Sequence, residues 1–234
     1  MKKLFVFVAL VSFSMSFGQV EMLSKTRFIK SNEKIPVTSD NAFNMITGER
    51  FHQDELNKLI KEHPDIYVER EFDKYGKFIR FWFHPNRRMG APSTIGRTPT
   101  GEKFPEFVFK TTDEKTIDSS DLKGKWIIIR FEGHPEDFMF KAHEIMDLDE
   151  KISSFEKTGK KVVAFDVFNW DAIRSKQIFT VSNSRFHIVS NGQNFTEKFK
   201  IHRNPLTLVI NPNGILMGYY KFSEDIDLFA LSKD

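Results

Sequence analysis

His134, Glu136 and Asp137 are the side chains in this sequence whose types and spacing could do chemistry. An imidazole beside two carboxylates could bind a divalent cation or act as an acid–base pair. Pro135, Glu136 and Asp137 equally fit the first turn of a helix, where proline is accommodated and acids complement the positive end. That structural reading is preferred for Glu136 and Asp137, because no ligand set recurs at a diagnostic spacing and His143-Glu144 reads as a solvated helix face. The chain contains no cysteine, so no thiolate is available for disulfide exchange or peroxide reduction. A Gly-x-Ser-x-Gly elbow, a phosphate-cradling glycine loop and a zinc-binding helix motif are all missing from the sequence.

The 234 residues, 40% of them hydrophobic, suffice for one ordinary core and a small second unit. Phenylalanine occurs 26 times, which predicts a core filled by rings. Lys2 and Lys3 precede the apolar run Leu4 to Val11 and the small residues of Ser16-Phe17-Gly18, the pattern of a secretory signal with cleavage before Gln19. The expected mature protein is soluble and exported, periplasmic or secreted. Loss of Lys2 and Lys3, with no acid, takes the formal charge from +3 to about +1, so nucleic acid is not an expected partner. Arg87, Arg88, Arg97 and Lys103 read as a solvated basic linker.

Three regions are expected: the signal over 1–18, a helix, hairpin and linker over 19–100, and a larger domain over 101–234. Residues 19–45 show no sustained period. Leu56, Leu59 and Ile60 mark a helix over Gln53 to Glu62, ended by His63-Pro64. Ile66–Phe72 and Lys77–Phe83 flank the turn-forming Asp73-Lys-Tyr-Gly76 and read as a β-hairpin. Prolines and glycines between Pro85 and Gly101 read as a linker. Beyond it, strands at 104–109, 126–131, 161–167, 186–189, 206–210 and 215–222 alternate with helices over 138–155, 170–181 and 194–199, and a last helix begins near Ser223. Alternation of this kind demands parallel neighbours with right-handed crossovers, while the last two strands form a hairpin. The result is an α/β fold, a mixed sheet with helices on both faces, preceded by a small α+β unit.

Gly101-Glu-Lys-Phe-Pro-Glu-Phe107, Asp121-Leu-Lys-Gly-Lys-Trp-Ile-Ile-Ile-Arg-Phe131 and Asn204-Pro-Leu-Thr-Leu-Val-Ile-Asn-Pro-Asn-Gly214 stand in an order and spacing that resembles the thioredoxin-like superfamily. The similarity is to its redoxin branch of peroxiredoxins and periplasmic thiol-disulfide reductases, over residues 101–234. The resemblance implies a cis bond at Asn204-Pro205 and puts the family's redox cysteines near Glu136 and Met139. Neither residue supports the family's chemistry.

The same resemblance implies that His134, Glu136 and Asp137 face Asn204-Pro205, with His202 close by, and that the backbone before the proline pairs with an extended peptide or a partner's strand. Such pairing needs no thiol. The sequence therefore predicts a redox-inactive binding or accessory module without a cofactor, its ligand surface made by His134, Glu136, Asp137, Arg203, Asn204 and Pro205. Hydrolytic or cation-dependent chemistry at His134, Glu136 and Asp137 is the alternative.

Overall fold

In the computed structural model, residues 35–90, 96–133, 141–169 and 184–233 are described. The chain first builds a three-stranded sheet. Strand β1 (Ala42–Asn44) is followed by helix α1 (Gln53–Glu62), β2 (Ile66–Phe72) and β3 (Phe78–Arg88), ordered β1-β3-β2. Helix α1 starts where Glu55 reaches back to accept the His52 N–H at 3.3 Å, and it buries Leu56 against Ala42, Ile66, Phe81 and Phe83. The β2–β3 turn is held by the Asp73 carboxylate, which accepts the N–H groups of Tyr75 and Lys77. Gly76 supplies the positive φ of 72° that the turn requires.

β3 corrects the expected linker start, since it continues past Pro85 to Arg88. Ile66 pairs with Arg88 but Tyr67 with His84, so residues 85–87 form a bulge that absorbs a proline lacking an N–H. The arginines of this region are not a solvated patch either. Arg87 lies 5.0 Å over the Tyr67 ring, and Arg88 donates to the Pro85 carbonyl at 3.0 Å.

The second part opens with the pair β4 (Val108–Lys110) and β5 (Thr116–Asp118), and a 3-10 turn over Ser119–Leu122 capped by Asp118, whose carboxylate accepts the Ser120 N–H. Strand β6 (Trp126–Glu132) leads to helix α2 (Ala142–Glu156), β7 (Val162–Phe168), β8 (Phe186–Val189), α3 (Gln193–Lys198), β9 (Leu206–Ile210), β10 (Leu216–Tyr220), a 3-10 turn at Ser223–Asp225 and α4 (Leu228–Leu231). The five-stranded sheet is ordered β10-β9-β6-β7-β8, with β6, β7 and β8 parallel and β9 antiparallel to both its neighbours. Residues 138–140 of the first expected helix and the helix expected over 170–181 lie outside the described residues.

Both faces of this sheet are covered. Ile127, Ile129, Phe131, Phe165, Val167 and Leu208 point toward α3 and the 104–109 segment, in a ring-lined core where Phe109 stands 4.7 Å from Phe195 and 5.1 Å from Phe165. Trp126, Ile128, Ala164 and Val209 point toward α2, meeting Ile145, Leu148, Ile152 and Phe155. The abundance of phenylalanine thus fills mainly the α3 side. The N-terminal hairpin rests on that side too. Asn194 and Lys198 of α3 donate to the Gly76 and Phe72 carbonyls, Lys200 pairs with Glu69 at 2.6 Å, and Arg70 pairs with Glu197. No helix among the described residues is long and apolar enough to cross a membrane.

Candidate functional site

Antiparallel pairing sets the end of β6 against the start of β9, because Phe131 lies opposite Leu206. The loop leaving β6 at Gly133 and the loop entering β9 at Arg203-Asn204-Pro205 therefore meet at one end of the sheet. The Asn204-Pro205 bond is cis, as the resemblance implied. Pro205 is buried, Asn204 half-buried, and His202 and Arg203 exposed. Neither the N–H nor the carbonyl of Arg203 or Asn204 makes a hydrogen bond to a described residue. The Asn204 Oδ1 is buried and likewise without a partner. His134, Glu136 and Asp137 lie outside the described residues.

Beneath this loop is a group of side chains that the motif search passed over. On the α2 face, where the lower halves of β6 and β7 are apolar, the upper halves carry Arg130, Glu132 and Asp166, each at most 1% exposed. Arg130 stands directly opposite Asp166 in the β6–β7 register. Its Nε donates to Glu132 at 2.5 Å and its Nη1 to Thr207 Oγ1 of β9 at 3.3 Å. Nη2 of Arg130 and both carboxylate oxygens of Asp166 have no hydrogen-bond partner.

A buried charge that lacks partners is costly, and a carboxyl in that position responds by holding its proton. Burial, reinforced by the negative charge of Glu132 and only partly offset by Arg130, pushes Asp166 well above the usual carboxylate range. Burial also raises Glu132, against the pull of the Arg130 charge and hydrogen bond. Glu144 on α2 behaves oppositely: burial alone would raise it, but the Ser223 N–H it accepts at 2.6 Å, with Arg130 nearby, brings it below its ordinary value. Both shifts favour a cluster in which the carboxyls carry less negative charge than two free carboxylates would beside Arg130. Among the described residues no group of three or more His, Asp or Glu side chains could hold a metal ion.

The signal for this cluster was present as two charged residues, Arg130 and Asp166, interrupting otherwise apolar strands. Their meaning depends on register, which places them side by side only once β6 and β7 are known to be parallel and aligned.

Residues 100–218, just over half of the chain, match the model of the AhpC/TSA family. The chain belongs to that family. Solved structures similar to this AhpC/TSA member include a thiol:disulfide interchange protein of the thioredoxin family from Chlorobium tepidum TLS, with 21% identity, 58% of this chain and 97% of that one covered, and a TM-score of 0.45. A reduced 2-Cys peroxiredoxin from Plasmodium vivax gives 15% identity, 53% and 85% coverage and a TM-score of 0.43. A PrxQ mutant from Xylella fastidiosa gives 12% identity, 59% and 96% coverage and a TM-score of 0.49. No curated protein matches the sequence. The strand order with its parallel β6-β7-β8 core and antiparallel β9-β10 pair is a thioredoxin-like fold, and this AhpC/TSA chain carries it without a single cysteine.

Proposed function

We propose that this AhpC/TSA protein is an exported, redox-inactive binding or accessory module that holds an extended peptide or a partner's strand against the main chain of Arg203 and Asn204. The observation that carries the reading is the pair of consecutive residues whose amides and carbonyls make no hydrogen bond to a described residue, at the sheet end where the family's chemistry would otherwise take place. Backbone groups in that state form strand-like pairs with an incoming chain, each bond worth about 0.5–1.5 kcal/mol net. Thiolate chemistry needs a cysteine, and the chain has none. Export is supported by Lys2-Lys3, the apolar run and the small residues before Gln19.

The test is site-specific crosslinking in the native host, with a photoreactive residue at Arg203 and a control at exposed Glu150 on α2. A discrete adduct at position 203, missing at 150 and lost when Asn204→Trp blocks the loop, is the expected result. Equal labelling at both positions would remove the groove. Intact-mass measurement of the protein from its host should give a chain beginning at Gln19, and retention of Met1 would contradict export.

A further inference from the structure

Helix α3 passes the chain to the 203–205 loop through Lys200. The Lys200 N–H donates to the Glu197 carbonyl at 3.1 Å and the Ile201 N–H to the Thr196 carbonyl at 2.8 Å, the pair of bonds that closes a helix around one left-handed residue. Lys200 is that residue, at φ 56°. Glycine is the usual occupant of such a position, because a side chain there strains the backbone, and the stop after α2 does use one, Gly159 at φ 83°. A lysine held in this conformation needs support from its surroundings.

The support comes from the N-terminal hairpin. Lys200 Nζ pairs with Glu69 of β2 at 2.6 Å, and the two side chains are only 14% and 13% exposed. The other Glu69 oxygen accepts the Tyr67 hydroxyl at 2.5 Å, so the carboxylate is itself held in place. Two further contacts tie the hairpin to α3, Arg70 with Glu197 and Lys198 with the Phe72 carbonyl, but both end within the helix. The Glu69–Lys200 pair reaches beyond it, to a residue three positions before Arg203. At the far side of the loop, Thr207 lies opposite Arg130 and accepts its Nη1 at 3.3 Å. Ile201 and Pro205 are buried between these anchors. Arg203 and Asn204, whose main chain makes no hydrogen bond to a described residue, therefore span the gap between two fixed points. One of those points lies outside the five-stranded sheet and its helices.

We propose that Glu69 is a positioning residue for the Arg203-Asn204 main chain, acting through Lys200, so that the N-terminal hairpin sets the conformation in which the loop receives an extended segment. The inference rests on the binding reading above. It is tested on the full chain with an end-capped, fluorescently labelled octapeptide of alternating Val and Thr, affinity being read by anisotropy and stability by urea denaturation. Glu69→Gln, which keeps the shape and removes the charge, should weaken binding roughly fivefold, the lower end of what coupling between two sites supplies. Lys200→Met should weaken it to the same degree, and the two changes together no further, because both remove one interaction. Arg70→Gln breaks the neighbouring ion pair that ends inside α3, and should leave the affinity unchanged while lowering the urea midpoint. That contrast separates positioning from a role in holding the hairpin in place. Loss of affinity in Arg70→Gln equal to that in Glu69→Gln, or parent-like binding by both Glu69→Gln and Lys200→Met, would overturn the assignment of Glu69 while leaving the binding loop in place. A parent protein that does not bind the peptide, or binds it as well after Asn204→Trp, would overturn the binding reading itself and the positioning role with it.

Discussion

The two faces of the five-stranded sheet solve the same packing problem differently. On the α3 side, Ile127, Ile129, Phe131, Phe165, Val167 and Leu208 form an unbroken apolar surface met by the rings of Phe107, Phe109, Phe195 and Phe199. On the α2 side, the apolar surface of β6 is interrupted after Ile128 and that of β7 after Ala164, and Arg130, Glu132, Asp166 and Thr207 stand in the upper half. The strands, their register and their burial are common to both faces. Stability alone gives no reason for the second arrangement, because well-packed apolar side chains of similar volume do as well as a buried ion pair or better. The polar group lies at the end of the sheet where the main chain of Arg203 and Asn204 makes no hydrogen bond to a described residue, so the fold departs from its cheapest packing at the proposed binding end.

The largest effect is expected from the apolar face. Phe165 is fully buried between Phe107 and Phe109, at 5.9 and 5.1 Å between ring centroids. Phe165→Ala should cost about 3–5 kcal/mol, since neighbouring rings cannot collapse into the space of a whole side chain. Urea denaturation reads this directly, and a loss below 1 kcal/mol would mean that the ring core is less tightly packed than its geometry indicates.

The polar face gives a comparison of opposite signs. Arg130→Met keeps the volume but strips Glu132 of its cation and Asp166 of the charge opposite it, and should cost about 3 kcal/mol or somewhat more. Replacing all three together, Arg130→Met, Glu132→Leu and Asp166→Val, should recover that loss and leave a protein as stable as the parent or more so by about 1–4 kcal/mol. The denaturant midpoints of the two variants distinguish the cases. A triple variant as unstable as the single one would show that the charges are needed for the fold and not only tolerated by it.

Much of this division was legible before the structure. Helix α1 over Gln53–Glu62, the strands at Phe186–Val189 and Leu206–Ile210 and the cis bond at Asn204-Pro205 stand where periodicity, helix stops and family resemblance put them. β1 and β5 were not read, because three residues are too few to show an alternation. The expected strand over 104–109 shrinks to Val108–Lys110, as Pro105 cannot donate to a ladder and the segment instead packs Phe104 and Phe107 into the ring core. The roles of Arg130 and Asp166 depend on which strand ends lie side by side, information that is carried by long-range register and not by local spacing. Arg97 was read as part of a solvated linker because proline and glycine surround it, yet its guanidinium is stacked on Tyr219, more than a hundred positions later.

The smallest effect is also the one most particular to the polar face. Asp166 is fully buried, with neither oxygen hydrogen-bonded, and its folded-state carboxyl is held well above the usual carboxylate range by burial first and by Glu132 second. A carboxyl whose affinity for its proton is higher in the folded state than in the unfolded chain adds a stability that is complete below the unfolded value, near pH 4 for Asp. That contribution drains away as pH rises from there and is gone once the folded value is passed. Glu132, raised in the same direction, adds a slope of the same sign. The parent protein should therefore lose stability between weakly acidic and weakly alkaline pH. Asp166→Asn, which keeps the shape and removes the titration, should flatten that profile and be the more stable of the two at the alkaline end, where the parent must either deprotonate Asp166 in the core or hold its proton against the solvent. Urea midpoints measured across ~pH 5 to 9 decide it. A variant whose profile parallels the parent's at every pH would show that Asp166 does not titrate differently in the two states, and that its charge is compensated in the folded protein.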